Sequence, residues 1–425
     1  MSYLSIVNKL SMEFKKEYNI KPDLISSSPG RLDFLNTHQD YKGLPVVSIG
    51  VNLRSYTAVS IGKNEKCSIL SVNLKEEHVE YQDVFDVTKP VLRKGKWFGN
   101  YLRATIKALL ELGYGIKGFN AAILSEVPIG GGLGSSAAFT VSFIGAINEL
   151  FNLGLSKKEI AEIAYHAEHD IMGVPCGRLD QYGSVFGGVI KIETTPPYNV
   201  EALPFRQGVF VVLDSGVKHS TAEIHPKRQA DINYGLKLLL RMPDLPGFIR
   251  QKLGEKYHEP KWEELSEEEL MPYLKRLPEK PKNRILFTIK EHKSTELALK
   301  IMKGKIPDIN IMVSVLGKEW EKEIMKSLKH SNPLLALIGT IMNQQHELLR
   351  DLYDLSLPEL EHIRNSALKA GALGVKISGA GLGGSLIALT ENKGIAERVL
   401  KAGIKAGAKR GWIVNIDVGL KRESF

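Results

Sequence analysis

A glycine-rich segment, PIGGGLGSSAA at residues 128–138, constrains the fold more than any other part of the 425-residue sequence. Its four glycines are Gly130, Gly131, Gly132 and Gly134. Residues 118–128 are strand-like and residues 136–152 are apolar on most of a helical surface, so the pattern predicts a strand, a turn and a buried helix. Glycines let a backbone approach an anion that the N–H groups of the helix attract, and the hydroxyls of Ser135 and Ser136 suit a phosphate-bound Mg²⁺. Because the lysine of a Walker A loop is missing, we predict a phosphate-binding loop of another type.

Length and composition indicate a globular protein of two domains. A chain of 425 residues is too long for one compact core, and 43% hydrophobic with 25% charged residues is typical of globular proteins. We place the domains at residues 1–205 and 206–425, because the character of the sequence changes near residue 205. Within the second domain, residues 235–285 are rich in proline and charge and are predicted to be an insertion, either inert or involved in oligomerisation.

The same composition excludes several classes of protein. No run reaches the roughly 18 uninterrupted apolar residues of a membrane helix, and residues 1–21 are typical of an amphipathic helix rather than a signal peptide. The two cysteines, Cys67 and Cys176, are far apart and provide neither a disulfide framework nor a metal-ligand spacing. We therefore predict a cytoplasmic protein that does not bind a membrane.

The charge of the chain favours small anionic ligands. Lysine and arginine number 57 against 48 aspartates and glutamates, which gives a formal net charge of +9. The basic residues are scattered and form no block interleaved with aromatic residues, so the sequence does not predict nucleic-acid binding. A nucleotide suits such a diffuse positive charge.

Segment 28–41, SPGRLDFLNTHQDY, is predicted to be a substrate-binding loop between two strands. Its polar and charged side chains include Arg31, Asp33, Asn36, His38 and Asp40. Guanidinium, carboxylate and imidazole groups that are fixed in one short loop are suited to hydrogen-bond a polyhydroxylated substrate.

Segment 167–184, AEHDIMGVPCGRLDQYGS, contributes two carboxylates in different settings. Glu168 lies within a predicted helix, whereas Asp180 follows a turn rich in glycine and proline. His166 and His169 are three residues apart, but no other ligand cluster accompanies them, so the sequence does not predict a zinc site.

A second glycine-rich segment, GVKISGAGLGG at residues 374–384, matches the GxGxxG pattern of dinucleotide-binding proteins. That fingerprint must open a helix, whereas the SLIALT that follows here is strand-like. We therefore predict a turn between two strands. The turn either packs against a ligand or a neighbouring loop, or is a purely structural hairpin turn.

Together these motifs resemble those of the GHMP kinases, and most closely those of the galactokinases. PIGGGLGSSAA resembles the phosphate loop of that family, SPGRLDFLNTHQDY its sugar-binding signature and KISGAGLGG its third motif. Residues 97–109, 167–187 and 341–363 also resemble galactokinase segments, so the resemblance covers most of the chain apart from about 235–285. It implies a two-domain α+β fold with the active site in the cleft between domains. The implied reaction transfers the γ-phosphoryl group of ATP to the anomeric (C1) hydroxyl of a monosaccharide.

The resemblance also implies roles for individual residues, by motif position. Asp180 is implied to be the catalytic base, or to position the acceptor hydroxyl, and Arg31 to lie beside it and stabilise charge on the phosphoryl group. The implied Mg²⁺ ligands are Ser136 and Glu168. The implied ATP contacts are Gly130, Gly131, Gly132, Gly134, Ser135, Ser136 and Trp97, the last by stacking on adenine. The implied sugar contacts are Thr37, His38, Asp40 and Gly177.

One position departs from the family signature. Galactokinases have a glutamate before the histidine of GEHTDY, and this chain has Thr37 there. That glutamate is a sugar-hydroxyl contact in the family, so Thr37 removes a charged acceptor from the implied site. RLD at residues 31–33 resembles arabinose-type kinases, and segment 220–228 also differs from the family pattern. We expect galactose as the substrate, with arabinose, N-acetylgalactosamine or a uronate as alternatives.

Two other functions are compatible with the same resemblance. A non-catalytic sugar and nucleotide sensor of the galactokinase type tends to lose residues of the phosphate loop, which is intact here. A kinase for a non-sugar alcohol, such as mevalonate or homoserine, is disfavoured by the galactokinase-like residues 341–363. The expected ligands are thus ATP with Mg²⁺ and a monosaccharide, and the expected assembly is a monomer or a homodimer.

Overall fold

The computed structural model describes residues 3–217 and 221–425. Its strands are β1 (Leu24–Leu35), β2 (Val46–Ile61), β3 (Lys66–Ser71), β4 (Gln82–Asp86), β5 (Phe119–Ser125), β6 (Val189–Ile192), β7 (Val200–Leu203), β8 (Val209–Asp214), β9 (Gly374–Ser378), β10 (Ser385–Thr390), β11 (Arg410–Val414) and β12 (Lys421–Glu423). Its α-helices are α1 (Tyr3–Tyr18), α2 (Val72–Glu76), α3 (Gly99–Glu111), α4 (Ser135–Phe151), α5 (Lys157–His166), α6 (Leu179–Phe186), α7 (Thr221–Leu240), α8 (Gly247–Arg250), α9 (Glu267–Leu274), α10 (Glu279–Met302), α11 (Ile309–Leu316), α12 (Glu321–Leu328), α13 (Pro333–Glu347), α14 (Pro358–Lys369) and α15 (Lys393–Lys405). Short π-helical turns occupy Ala167–Ile171 and Leu348–Leu352. Throughout this part of the chain, every helix is too short or too polar to span a bilayer.

The chain divides into two compact units. The first contains Met1–Leu32, Ile49–Gly188 and Ile416–Phe425, and the second contains Asp33–Ser48 and Val189–Asn415. Each unit is therefore assembled from separate stretches of chain, whereas the sequence predicted two continuous halves that meet near residue 205. The C-terminal stretch joins the first unit because β12 pairs with β1 in antiparallel orientation.

The first unit is built on a sheet with the strand order β12-β1-β2-β5-β3-β4. β2 runs antiparallel to β5, and β3 runs parallel to β5. The predicted amphipathic N-terminal helix is confirmed as α1. Its apolar residues pack on the sheet in one cluster that includes Ile6, Val7, Leu10, Phe14, Tyr56, Leu70, Ala122 and Leu124.

The predicted order of strand, glycine turn and buried helix is confirmed by β5 and α4. The middle of α4 is buried on all sides, as its continuous run of apolar and small residues predicted. The next helix, α5, begins with a capping box. The hydroxyl of Ser156 accepts from the backbone N–H of Glu159, and the Glu159 carboxylate accepts from the N–H of Ser156. This capping box fixes the start of α5, the helix that precedes Glu168.

The second unit is built on an antiparallel sheet with the order β11-β8-β10-β9. The glycine-rich segment 379–384 joins β9 to β10, which confirms the predicted turn between two strands. Residues 235–285 run from the end of α7 to the start of α10 and have an apolar core of their own. This core includes Leu236, Leu239, Leu245, Ile249, Trp262, Leu265, Leu270, Leu274 and Ile285.

Candidate active site

The glycine-rich loop of the first unit takes a conformation that only glycine adopts easily. Gly130, Gly132 and Gly134 have φ angles of 71°, 72° and 66°. Between them, the side chain of Leu133 is buried, and its carbonyl oxygen accepts from the N–H of Arg31 at 2.9 Å. Its chain neighbours aside, the part of the chain that the structure describes places no atom within 4 Å of where a Cβ would stand at Gly130. The loop is thus held at Leu133 by the hydrogen bond from Arg31 and is open at Gly130, which suits an anion site.

Arg31, on β1, joins this loop to Asp180 in the first turn of α6. Its Nε and Nη2 donate to Oδ1 of Asp180 at 2.9 and 2.7 Å, and its Nη1 donates to the carbonyl oxygen of Gly132 at 2.7 Å. The side chain of Asp180 is 30% exposed, against 11% for Arg31. The carboxylate therefore stays accessible to a ligand, and the arginine that holds it is less exposed.

Glu168 lies in the π-helical turn that follows α5, between two hydrogen-bond donors. The hydroxyl of Ser136 donates to its Oε1 at 2.8 Å, and Nε2 of Gln181 donates to its Oε2 at 2.8 Å. The pKa of Glu168 is raised, and burial is the main cause. The hydrogen bond from Ser136 lowers this pKa, whereas the nearby charge of Asp180 raises it further. The predicted residues Ser136 and Glu168 are thus in direct contact.

This pair fits a magnesium ion. A hydroxyl and a carboxylate are the hard oxygen ligands that Mg²⁺ prefers, and the ion commonly takes only one or two protein ligands when phosphates and water supply the rest. A neighbouring cation also favours the ionised form of a carboxyl group whose burial disfavours it. Ser136 and Glu168 therefore have the donor chemistry that such an ion requires, and their role as its ligands stays a prediction.

Two more predicted residues of the first unit make other contacts. Trp97 precedes α3, packs against Phe98 with 4.5 Å between ring centroids, and has the guanidinium of Arg93 at 4.2 Å from its own ring centroid. Its indole nitrogen is buried and has no hydrogen-bond partner among the described residues. Gly177 is exposed in the turn that precedes α6.

Hydrogen bonds to Glu162, which the sequence did not predict, fix the start of α6. Arg178 donates from Nε and Nη2 to Oε1 and Oε2 of Glu162 at 2.8 and 3.1 Å, and the hydroxyl of Tyr182 donates to Oε1 at 2.6 Å. The guanidinium also lies 3.9 Å from the ring centroid of Tyr165. The sequence spacing could have indicated these contacts. Glu162 and Tyr165 are three residues apart and Arg178 and Tyr182 are four residues apart, so each pair can share one face of a helix.

The substrate-binding segment is only partly a loop. β1 extends to Leu35, so residues 28–35 are strand, whereas the sequence predicted a loop throughout 28–41. The reason is visible in the pattern: the apolar residues Leu32 and Phe34 alternate with polar Arg31 and Asp33, which is the period of a strand. The connection to β2 begins at Asn36 and contains a short helical turn at Asp40–Lys42.

In the second unit, Thr37 and His38 contact the segment around β9. The Thr37 hydroxyl donates to Oδ1 of Asp33 at 3.2 Å and accepts from Nζ of Lys376 at 2.7 Å. Nε2 of His38 lies 3.0 Å from the carbonyl oxygen of Ala380, which makes Nε2 the donor. Burial is the main cause that holds the pKa of His38 well below its ordinary value, so its imidazole is neutral.

Asp40 opens the short helical turn and is half-buried. Burial, and then the charge of Asp33, raise its pKa to about 6. A carboxyl group with this pKa exchanges a proton near neutral pH, which is characteristic of functional sites.

Comparisons with known proteins identify the family. The model of the GHMP kinases N terminal domain matches residues 100–188, that of the GHMP kinases C terminal domain matches residues 324–409, and the galactokinase galactose-binding signature matches residues 12–61. The galactokinase of Thermococcus kodakarensis is 30% identical over 369 residues, which cover 86% of this chain and 89% of that protein. The chain belongs to the galactokinase family of GHMP kinases.

Other relatives of this sugar kinase agree. The galactokinase of Pyrococcus furiosus is 29% identical over 395 residues, which cover 91% of this chain and 94% of that protein. The crystal structure of Lactococcus lactis galactokinase complexed with galactose is similar over 98% of this chain and 99% of the other, with a TM-score of 0.75 and 23% sequence identity. The predicted α+β GHMP-kinase fold is confirmed, and the chain is an ATP-dependent sugar kinase.

Proposed function

We propose that this sugar kinase transfers the γ-phosphoryl group of ATP to the anomeric hydroxyl of galactose. The observation that carries the proposal is the galactose-binding signature over residues 12–61, in a chain whose relatives along most of its length are galactokinases. Phosphoryl transfer depends on positioning and on neutralising charge more than on covalent chemistry by the protein. The side chains of this chain are of the types that such a reaction needs.

Asp180 is proposed to act on the acceptor. Its accessible carboxylate binds the sugar hydroxyl and takes its proton as the new bond to phosphorus forms. Arg31, held between Asp180 and the carbonyl of Gly132, stabilises negative charge on the transferring group. Since both partners are fixed by hydrogen bonds before substrate arrives, little reorganisation is required at the moment of transfer.

The glycine-rich loop and α4 are proposed to bind the phosphates of ATP. The open space at Gly130 and the N–H groups at the start of α4 suit an anionic ligand. Ser136 and Glu168 would hold Mg²⁺, which neutralises phosphate charge when bound. Trp97 is proposed to stack on the adenine.

The sugar is proposed to contact His38, Asp40 and Gly177, in the roles that the resemblance implies. Thr37 favours a second candidate, a kinase for a related sugar such as arabinose, N-acetylgalactosamine or a uronate. Its hydroxyl is engaged by Asp33 and Lys376 and supplies no charge of its own. We also propose a cytoplasmic location, which fits two widely spaced cysteines.

A screen of ADP release with Mg·ATP tests the proposal. The acceptors are galactose, N-acetylgalactosamine, arabinose, glucose, galacturonate and mevalonate, and the Asp180→Asn variant is the control for a contaminating kinase. We expect turnover with galactose that the variant lacks. Turnover with another sugar alone would establish the second candidate, and sugar binding without any turnover would establish a sensor.

A further inference from the structure

We propose that Asp33 is a specificity-determining residue of this site, whose carboxylate accepts a hydrogen bond from a hydroxyl of the sugar. This inference rests on the proposed function and names the charged acceptor that Thr37 does not supply. Three observations in the second unit carry it: the hydroxyl of Thr37 is occupied, the carboxylate of Asp33 is not saturated, and open space adjoins it.

Thr37 has no proton and at most one lone pair left for a ligand. A hydroxyl has one proton, and that of Thr37 is donated to Asp33 at 3.2 Å. A lone pair of the same oxygen accepts from the ammonium of Lys376 at 2.7 Å. The residue is also 1% exposed. Thr37 is therefore a bridge between two charged side chains.

Asp33 has acceptor capacity left. A carboxylate has about four lone-pair directions. Oδ1 accepts from Thr37, and Oδ2 accepts from the backbone N–H of Gly379 at 3.2 Å. With 8% exposure, Asp33 is more accessible than Thr37. The ammonium of Lys376, one hydroxyl away, compensates the negative charge that would otherwise be costly to bury.

The glycine-rich turn is open at Gly379, the residue whose N–H donates to Asp33. At Gly379, with φ of 85°, the described residues place no atom within 4 Å of where a Cβ would stand, its own chain neighbours aside. At Gly381 a Cβ would stand 2.7 Å from Leu355, and at Gly383 it would stand 2.5 Å from the carbonyl oxygen of Val217. The turn is thus packed at Gly381 and Gly383, and the open space lies at Gly379, the residue whose N–H donates to Asp33.

His38 contacts the same turn one residue further along the chain, at Ala380. Its Nε2 donates to the carbonyl oxygen of Ala380, the residue after Gly379. The neutral imidazole of His38 and the carboxylate of Asp33 therefore bind two adjacent residues of the turn, Ala380 and Gly379. Because both ring nitrogens of His38 already have partners, Nε2 in Ala380 and Nδ1 in the hydroxyl of Tyr41 at 3.4 Å, Asp33 is the group with capacity left to accept from a sugar hydroxyl.

Steady-state kinetics of four variants test the inference, after the wild-type enzyme has been assayed. Asp33→Asn keeps the shape and removes the charge, and we expect the KM for galactose to rise about 10- to 100-fold, the cost of losing a hydrogen bond to a charged group. The KM for ATP should change less than about twofold, because Asp33 is not among the proposed contacts of ATP. Thr37→Val should raise the KM for galactose less than Asp33→Asn does, since it removes only the bridge.

The matched control is Asp214→Asn. Asp214 is also a buried aspartate of the second unit, 3% exposed, and it pairs with Arg410 at 2.7 Å. We expect this variant to lower Tm and leave both KM values unchanged. Adding Thr37→Glu to Asp33→Asn returns a carboxylate to the loop four residues away and should recover part of the galactose affinity.

Two outcomes would overturn the inference. In one, Asp33→Asn lowers Tm as the control does and leaves the KM for galactose within twofold. In the other, Thr37→Val raises that KM more than Asp33→Asn. Should Asp33→Asn fail to fold, Asp33→Ser, which keeps an acceptor for Thr37, takes its place. An absence of wild-type turnover with galactose contradicts the proposed function instead, and the series is then measured with the sugar that the enzyme phosphorylates.

Discussion

Both hydrogen bonds that Arg31 donates to Asp180 fall on a single carboxylate oxygen, Oδ1. The remaining arm of the guanidinium donates to the carbonyl oxygen of Gly132 in the glycine-rich loop. A guanidinium is a rigid planar fork, so its orientation fixes the carboxylate and the loop at the same time. One side chain therefore sets the spacing between the groups that we propose to act on the acceptor and on the phosphates.

The first prediction concerns Asp180. Asp180→Asn preserves the shape of the side chain and an oxygen that can accept from Arg31, but the amide cannot take a proton. We expect kcat to fall about 10²- to 10⁴-fold, the usual contribution of a general base, with little change in the KM for ATP. ADP release at saturating galactose measures this effect.

Asp170→Asn is the control for Asp180→Asn. Asp170 lies in the π-helical turn, is 50% exposed and bonds to His166 at 2.7 Å. We expect its kcat to stay within about twofold of the wild type. If Asp180→Asn retained more than about a tenth of the wild-type kcat, the carboxylate would position the acceptor rather than act as its base.

The second prediction concerns the magnesium requirement. Because burial raises the pKa of Glu168, this group takes up a proton at a higher pH than an ordinary glutamate. The proton competes with Mg²⁺, so the Mg²⁺ concentration for half-maximal activity should increase as the pH is lowered from about 7.5 to about 5.5. Titrations of MgCl₂ at fixed ATP, with rates at each pH, measure it.

Glu168→Gln removes both the charge and the titration. We expect this variant to need at least about tenfold more Mg²⁺ and to lose the pH dependence of that requirement. Glu149→Gln, at a glutamate that is 45% exposed and pairs with Arg422, should behave like the wild type. An unchanged Mg²⁺ requirement in Glu168→Gln would exclude Glu168 as a ligand.

The third prediction concerns stability and Asp40. In the folded state, burial and the charge of Asp33 raise the pKa of this carboxyl group to about 6. In the unfolded chain its pKa is the ordinary value of about 3.9. The folded state therefore binds more protons between these values, and ionisation of Asp40 destabilises it as the pH rises to about 6. Below about pH 4 the effect is absent.

Asp40→Asn should consequently be more stable than the wild type at pH 8, by about 1–3 kcal/mol, and equal to it near pH 4. Urea unfolding across this pH range measures the difference. We expect the same variant to bind galactose more weakly, since a residue that lowers stability is typically retained for function. Parallel stability curves for variant and wild type would contradict the assigned cause.

The sequence predicted those parts of the site that are local. The glycine loop, the strand before it, the buried helix after it and the capping box of α5 all depend on neighbouring residues, and all are confirmed. The turn at residues 379–384 was predicted in the same way, because a strand-like segment follows it.

Contacts between distant residues lay beyond the sequence. Lys376 and Thr37 are 339 residues apart, and nothing in either motif indicates that the ammonium meets the hydroxyl. The division into units was missed for a similar reason. The return of Ile416–Phe425 to the first unit depends on pairing between β1 and β12, and hydropathy near the C-terminus does not reveal the partner of a three-residue strand.

The last prediction concerns the arginine that holds this C-terminal stretch. Arg54 is 3% exposed, and its guanidinium donates to Ser27 at the hydroxyl (2.8 Å) and carbonyl oxygen (3.0 Å). It also donates to the carboxylate of Asp417 and to the carbonyl oxygens of Val418 and Gly419, each at 2.8 Å. Arg54→Leu leaves these acceptors without a donor, so we expect the free energy of unfolding to fall by about 3–5 kcal/mol.

Arg422→Leu, on β12 itself, provides the matched comparison. Arg422 is 58% exposed and lies 3.6 Å from Glu149, an arrangement that contributes about 0–1 kcal/mol. Urea unfolding of both variants separates the loss of an arginine from the loss of this buried network. Similar destabilisation by the two substitutions would mean that the C-terminal stretch is held by the pairing of β12 with β1 rather than by Arg54.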